Sequence, residues 1–398
     1  MSALATPPEA AERIPVDLVH VIGAFVAGGA ERFVVDLVRA LSDRGWRSAV
    51  LALSAREDAT RVTMEEQLRA CGVSFAVGPT VRLGARTVAW YGRRLSRLRP
   101  GVVHLHTANT GLAHLLGFPW HRNRSCLVHT LHNTRLSLRS SESVAMCMLP
   151  IARSIACSEA VRQANFRQLG GSLVTIRNGV RFDWPVRTRA RSEAAKRSLG
   201  LETERTHFLC VGRMDGPNLA SSQKGHDLLL EAWRRTMLGA IEARMHLVGD
   251  GPLRSLLERA AADLSGVSFH GVRPDVPDWL TAADCLVMPS RWEGMPIAGI
   301  EAGGTGIACI FSDIEPLREL GAPAARFFAC GDPDQLAERL REFHGLPEAP
   351  PAAAVEVFRL EFGIDRTVDA YDRIYRSILS SAPRAGGSQA DRSRSISD

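Results

Sequence analysis

Two glutamates set eight residues apart, Glu293 and Glu301, stand in the stretch Pro-Ser-Arg-Trp-Glu-Gly-Met-Pro-Ile-Ala-Gly-Ile-Glu-Ala-Gly-Gly-Thr-Gly that runs from Pro289 to Gly306. The residues before it, Cys285 to Met288, are apolar throughout, as in a buried parallel strand. Pro296 suits the first turn of a helix, where its missing N–H costs nothing. Glu293 is therefore expected on the loop ahead of that helix and Glu301 one to two turns inside it. The free N–H groups of the helix start, around Gly294, Met295 and the neighbours of Pro296, then face a crevice, and spare donors at a helix N-terminus bind anions and hydroxyls.

A second candidate anion site lies near the start. Val16 to Ile22 reads as a strand, Gly28-Gly29-Ala30-Glu31-Arg32 as a turn, and Phe33, Val34, Leu37, Val38 and Leu41 as one helical stripe. Glycine admits close backbone approach and the helix dipole favours an anion, so strand, glycine turn and helix can cradle a phosphate. A plain structural turn fits the same residues, and the spacing is not that of the G-x-G-x-x-G dinucleotide fingerprint. Further along, two apolar runs end in polar residues: Val102 to Thr107 in His106 and Thr107, and Leu127 to Asn133 in His132 and Asn133. Alternation turns His104 and His106 to one face. A polar cluster at strand ends, lining a cleft, fits these histidines better than a metal site.

The elements that must position these groups alternate along the chain. Ser48–Ser54, Val73–Val77, Val102–Thr107, Leu127–His132 and Ser154–Ser158 read as strands with helical patterns between most of them, which predicts a doubly wound parallel sheet with ligands beyond the carboxyl ends of its strands. Between Arg181 and Arg205 the sequence turns charged and aperiodic, marking a domain boundary with a short helix around Ser192–Leu199. A second unit opens with the buried strand and glycine turn Phe208-Leu209-Cys210-Val211-Gly212-Arg213, followed by Lys224-Gly225-His226-Asp227 and an apolar helix. Glu356 to Leu379 reads as one amphipathic helix, residues 1–15 as a disordered lead and residues 381–398 as a disordered tail.

The chain has 398 residues, 45% of them hydrophobic and 23% charged, values of a soluble two-domain enzyme. No apolar run reaches the ~18 residues of a membrane span, and the N-terminus lacks an apolar signal core, so the expected location is the cytoplasm. The 8 cysteines are scattered in apolar runs without a C-x-x-C pair and read as core packing rather than a metal site. With 49 basic against 43 acidic residues the net charge is only +6, but Arg82, Arg86, Arg93, Arg94, Arg97 and Arg99 crowd one helix-like stretch. A solvated helix face is one reading. The sharper one is adhesion to an anionic membrane surface. No nucleic-acid module accompanies the patch, and no nucleic-acid partner is expected.

The stretch around Glu293 and Glu301 resembles the E-x7-E signature of family 4 of the retaining nucleotide-sugar glycosyltransferases, and further segments from Val16 to Ile378 share the likeness. Among these are the Gly28-Gly29 turn, Ala156-Cys157-Ser158-Glu159, Asn178-Gly179-Val180 (with Arg177 where the family usually has proline), Gly249-Asp250-Gly251-Pro252 and Phe269-His270-Gly271. The resemblance implies a GT-B fold: two Rossmann-like parallel-sheet domains, 16–185 and 186–362, facing a cleft, with a last helix, 363–380, crossing back to the first. It implies transfer of a sugar from a nucleotide-diphosphate donor, UDP ahead of GDP, to a glycan or lipid-linked acceptor in bacterial envelope polysaccharide or glycolipid synthesis, with retention and with no metal or other cofactor. Arg213 and Lys224 correspond to the family's cations on the donor diphosphate, and cleavage of the nucleotide-sugar bond does call for fixed positive charge on the departing dianion. His132 and Glu293 correspond to contacts of the donor sugar, Glu301 to the ribose grip, Arg273 to a base contact, and Gly28, Gly29, Gly294, Met295 and Pro296 to the donor-binding backbone. The chain departs from the family at Met214–Gln223, a longer and, on its Gly216-Pro217 and Ser221-Ser222, mobile loop. It departs again in Gly303-Gly304-Thr305-Gly306, which lacks the usual proline, and in Glu315-Pro316, which replaces a glycine pair. Competing readings are an epimerase or phosphorylase on the same fold, and a catalytically inactive scaffold or binding subunit.

Overall fold

Strand and helix alternate twice over, each time because short runs of buried β-branched and aliphatic residues are separated by segments with one apolar stripe. The structure, a computed structural model, describes residues 16–381 except 27, 56–58, 81–82, 122–124, 135–143, 146–147, 170–172, 239–241 and 346–348. The lead 1–15, Arg82, Cys147 and the tail beyond Ser381 lie outside the described residues.

The first half runs β1 (Leu18–Phe25), α1 (Gly29–Ser42), β2 (Ser48–Ala55), α2 (Ala59–Ala70), β3 (Ser74–Val77), α3 (Ala85–Leu98), β4 (Val102–Leu105), α4 (Ala108–His121), β5 (Cys126–Leu131), β6 (Ile151–Ala156), α5 (Glu159–Leu169) and β7 (Leu173–Thr175). Its strands form a seven-stranded sheet, order β3-β2-β1-β4-β5-β6-β7, parallel throughout. The second half runs α6 (Arg189–Ser198), β8 (Thr206–Val211), α7 (His226–Thr236), β9 (Ala243–Val248), α8 (Arg254–Ala260), β10 (Val267–Phe269), α9 (Val276–Ala282), β11 (Cys285–Met288), α10 (Ile297–Thr305), β12 (Ala308–Ser312), α11 (Glu315–Leu320), β13 (Ala325–Phe328), α12 (Pro333–Gly345), α13 (Ala352–Phe362) and α14 (Ile364–Ser381). Its six strands, order β10-β9-β8-β11-β12-β13, are also parallel. Strand order reverses direction between β1 and β4 in one sheet and between β8 and β11 in the other, and such reversal points leave a crevice at the strands' carboxyl ends.

Helix α6 is tied to the second sheet through Asp284, whose carboxylate accepts from Arg187 at 2.9 Å, Lys196 at 2.9 Å and the His207 backbone N–H at 2.9 Å. The single C-terminal helix expected over 356–379 is two helices. The chain is extended at Gly363, where the Val180 N–H donates to Phe362 O (2.9 Å) and the Ile364 N–H to Val180 O (3.0 Å). That bridge takes backbone groups a continuous helix would have used. It also changes domains: α13 sets Phe358 against Gly303 of α10, while α14 packs on α1 and buries Val368, Tyr371 and Tyr375 there. The segment Met214–Gln223, expected to be mobile, buries Met214 fully and holds a 3-10 turn at Leu219–Ser221, capped by the Asn218 side chain. The described cysteines are free, most of them buried.

Candidate active site

A cleft of about 420 Å³ lies where the carboxyl ends of the two sheets meet. It is bounded by Gly28 and Gly29 after β1, His132 and Asn133 after β5, Gly212 and Arg213 after β8, Lys224 ahead of α7, Arg273 after β10, and Glu293 to Ile297 with Glu301 after β11. The residues assigned to the donor site from the sequence border this one cleft, among them both carboxylates of the E-x7-E stretch, but His104 and His106, expected to line it, do not: they are 0% and 1% exposed beneath it.

Glu293 sits on the loop between β11 and α10 and is only 3% exposed. Its Oε1 accepts from Lys224 Nζ at 2.6 Å and Ser290 Oγ at 2.8 Å, and its Oε2 from Gln223 Nε2 at 3.2 Å. A buried carboxylate with this many donors is held in one orientation, and the neighbouring ammonium offsets its charge. The loop is itself docked on the first domain: Asn178 Nδ2 donates to Met295 O at 3.0 Å. Gly294 is required there, because a Cβ would stand 2.1 Å from the carbonyl oxygen of His132. Pro296 is the N-cap residue of α10, one position before the helix, so Glu301 falls one turn inside.

Burial pushes the Glu301 carboxyl up to about 7, against the pull of the Arg32 guanidinium. Arg32 also donates to Asp36 Oδ2 at 3.2 Å. Arg213 is paired with Asp215, two residues on. Arg273 holds Asp275 at 2.6 Å with its guanidinium 5.8 Å from the Trp279 ring centroid, so a base stacking here would meet an arginine already fixed in place. His132 is a neutral imidazole, its pKa driven down to about 4 by burial. His20, His104 and His106 bring ring nitrogens within 4.8 Å of one another. Both nitrogens of His104 are engaged, with Tyr375 Oη at 2.6 Å and Thr130 Oγ1 at 2.8 Å.

Of the departures from the family pattern, Met214–Gln223 borders the cleft through Asp215 and Gln223, whereas Gly303 and Gly304 face away from it. A Cβ on Gly303 would meet the Phe358 ring at 2.6 Å, and one on Gly304 the Phe182 ring. These glycines make room for aromatic side chains on the far side of α10. Residues that the sequence did not single out for the site are Arg32, Gln223, Asp215 and Asp250, all at the cleft wall. Arg32 and Gln223 adjoin recognised segments, and that adjacency was the available signal. His20, under the site, carried none.

Two parallel-sheet domains meeting at such a cleft are the GT-B architecture. The fold is that of solved structures such as HepE of Anabaena (TM-score 0.74, 16% identity, covering 91% of this chain and 100% of that one). WaaG, a glycosyltransferase involved in lipopolysaccharide biosynthesis, is likewise similar (TM-score 0.61, 15% identity, 91% and 97% covered). The model for glycosyl transferases group 1 matches residues 205–344 and that for Glycosyltransferase Family 4 residues 27–184, one for each domain. The chain belongs to the group 1, family 4 glycosyltransferases. Among relatives, the UDP-Gal:alpha-D-GlcNAc-diphosphoundecaprenol alpha-1,3-galactosyltransferase of Escherichia coli is 28% identical over 242 residues, 55% of this chain and 59% of its own. The lipopolysaccharide core biosynthesis mannosyltransferase LpsB of Rhizobium meliloti is 27% identical over 203 residues, 46% of this chain and 55% of its own. The match thus spans little more than half the length of these two. The 2-deoxystreptamine N-acetyl-D-glucosaminyltransferase of Streptomyces fradiae matches at 28% over 91% of this chain and 94% of its own.

Proposed function

We propose that the chain transfers a sugar, with retention, from a nucleoside-diphosphate sugar to an acceptor hydroxyl of an envelope glycan or lipid-linked saccharide, with UDP ahead of GDP as the carrier. The observation that carries this reading is the Lys224–Glu293 pair at 2.6 Å, set in the same cleft as Arg213 and Glu301. Lys224 and Arg213 supply fixed positive charge where a diphosphate would depart, a task that needs no divalent ion. The amides at Gly294 and Met295 and the Gly28-Gly29 turn offer further donors. In this reading Glu301, one turn inside α10, accepts from the two ribose hydroxyls, and Glu293 from those of the sugar. With Glu293 held by three donors, the reaction is assigned to the departing phosphate oxygen, which takes the acceptor proton on the face it leaves; the protein positions the partners and stabilises charge.

The acceptor class draws support from the relatives named for undecaprenol-linked and lipopolysaccharide substrates, and from one face of the first domain. Arg86, Arg93, Arg94, Arg97 and Arg99 are exposed on and just after α3. The adjoining α4 exposes Leu116, Phe118 and Trp120 at 51%, 56% and 43%. Cations beside exposed apolar and aromatic groups suit an anionic lipid surface. No described helix is long and apolar enough to cross a membrane, so this reading is of peripheral contact.

The test is nucleotide release from a panel of UDP-, GDP- and ADP-sugars, with and without lipid extract, in the presence of EDTA. Release from one donor, raised by the extract and unaffected by EDTA, is the expected result. No release and no thermal shift with any nucleotide would overturn the reading in favour of an inactive binding subunit.

A further inference from the structure

A row of imidazoles runs from the interior of the first sheet to the cleft. His20 lies on β1, His106 follows β4 and His132 follows β5. His20 Nδ1 is 3.1 Å from His106 Nε2, and His106 Nδ1 is 3.2 Å from His132 Nε2. The first two rings are buried, 0% and 1% exposed, and the backbone N–H of His106 is pinned to Val21 O at 3.0 Å. The outer end of the row is His132, whose Nε2 is taken up by His106, leaving Nδ1 for a ligand in the cleft. The inner end is His20 Nε2, buried without a hydrogen-bond partner. His104 touches the row, its ring centroid 4.0 Å from that of His106, but both its nitrogens are committed to hydroxyls, one of them Tyr375 from the crossing helix α14.

Burial keeps these rings neutral, with His20 lowered to about 3 and His132 to about 4. A neutral imidazole has one proton and two nitrogens. For both inter-ring bonds to form, all three protons must sit on the same kind of nitrogen. With every proton on Nε2, His20 would hold a buried N–H with no acceptor. With every proton on Nδ1, it holds only an unmatched lone pair. Orphaned buried N–H groups are the rarer and costlier case.

We propose that His106 and His20 are positioning residues that fix His132 as the Nδ1–H tautomer, making it a hydrogen-bond donor to an oxygen of the donor sugar or its phosphate. This rests on the glycosyl-transfer reading above for the identity of the ligand. The row itself stands on geometry alone. His106 acts through His132 and touches no substrate.

Two measurements test it. The tautomer is read without turnover, by long-range ¹H–¹⁵N correlation on the full chain labelled with ¹⁵N-histidine, with His132 assigned by its loss in His132→Asn. A donor-type Nδ1 and an acceptor-type Nε2 are expected; the reverse pattern overturns the proposal. Because this needs no activity, a chain that transfers no sugar would sink the functional reading while leaving the tautomer decided. In kinetics, His106→Phe should lower kcat by roughly 10- to 100-fold, and His106→Gln, whose amide can still donate to His132 Nε2, should stay within about threefold of the parent. In a His132→Phe background, His106→Phe should cost nothing further. Equal losses in both backgrounds mean a packing role and refute the inference. So does stoichiometric zinc in the purified protein whose removal shifts the histidine signals.

Discussion

Glu301 should be a residue whose removal strengthens the fold and weakens the site. It is 7% exposed, and burial pushes its carboxyl up to about 7, from an ordinary value of 4.5. Between those two values the folded chain holds the proton and an unfolded chain has lost it. The stability that this group allows is therefore complete below about pH 4.5 and is lost as pH rises to about 7. A gap of about 2.5 units corresponds to roughly 3 kcal/mol. Glu301→Gln abolishes that loss, and Arg32 keeps Asp36 at 3.2 Å as partner. The variant should melt roughly 5 °C above the parent at about pH 8.5 and together with it at about pH 4.5. Its nucleotide affinity should move the other way. Exchanging charge-assisted for neutral hydrogen bonds to two hydroxyls loses about 1–3 kcal/mol, or roughly 10- to 100-fold in Kd. Parent affinity for UDP should rise with pH through about 7, as the carboxylate forms, while that of the variant stays flat. Thermal melts across pH and calorimetric titration with UDP check both halves. A variant that melts lower at high pH, or binds UDP as the parent does, would refute the reasoning.

Three further outcomes are expected. Lys224→Ala removes the cation beside a carboxylate 3% exposed, so turnover should fall by about 10²–10³ and stability by roughly 3 kcal/mol. Adding Glu293→Gln should restore the melting temperature but not turnover, and a double variant that regains activity would remove the pair from the mechanism. Gly294→Ala places a Cβ 2.1 Å from His132 O, which should displace the loop, cost at least about 1 kcal/mol and abolish donor binding; wild-type nucleotide affinity would contradict it. Reversing Arg93, Arg94 and Arg97 to glutamate should lower binding to anionic vesicles at least ~100-fold, at about 1 kcal/mol for each arginine, with activity on a water-soluble acceptor retained. Vesicle binding unchanged in a flotation assay would assign the basic face to solvent.

What could be read from the sequence, and what could not, divides along a physical line. Runs such as Cys285–Met288 and Phe208–Val211 are strands because they are apolar over lengths too short for a helix, and their parallel pairing follows from the helices between them. Ligands of such sheets sit beyond the carboxyl ends of the strands, and the family resemblance picked out residues after β1, β5, β8 and β11, which the structure gathers into one cleft at the reversal points that only the strand order reveals. The break at Gly363 was not legible in the periodicity, because the 3.6-residue period continues across it; only the family resemblance implied a last helix starting at 363. The cause lies 183 residues away, in the bridge between Val180 and Gly363.

The histidine row makes the same point within the site. His104 and His106 could be put on one face by alternation along their own strand. His20 could not be joined to them, since no periodicity within a strand reports which residue of a neighbouring strand lies opposite. Register does: His20 stands beside His104 in the pairing of β1 with β4, and His106 then comes within reach of both His20 and His132. Tyr371 and Tyr375 of α14 reach the same cluster from the far end of the chain. The docking of the last helix on the first domain thereby supplies a hydrogen-bond partner to His104, whose ring packs on His106 of the row. A substitution such as Tyr375→Phe, remote from any donor contact, should loosen His104 and through it the row, and it should be felt in turnover more than in nucleotide affinity. Steady-state kinetics beside UDP titration distinguish the two, and a variant changed in UDP affinity alone would break the link between α14 and His132.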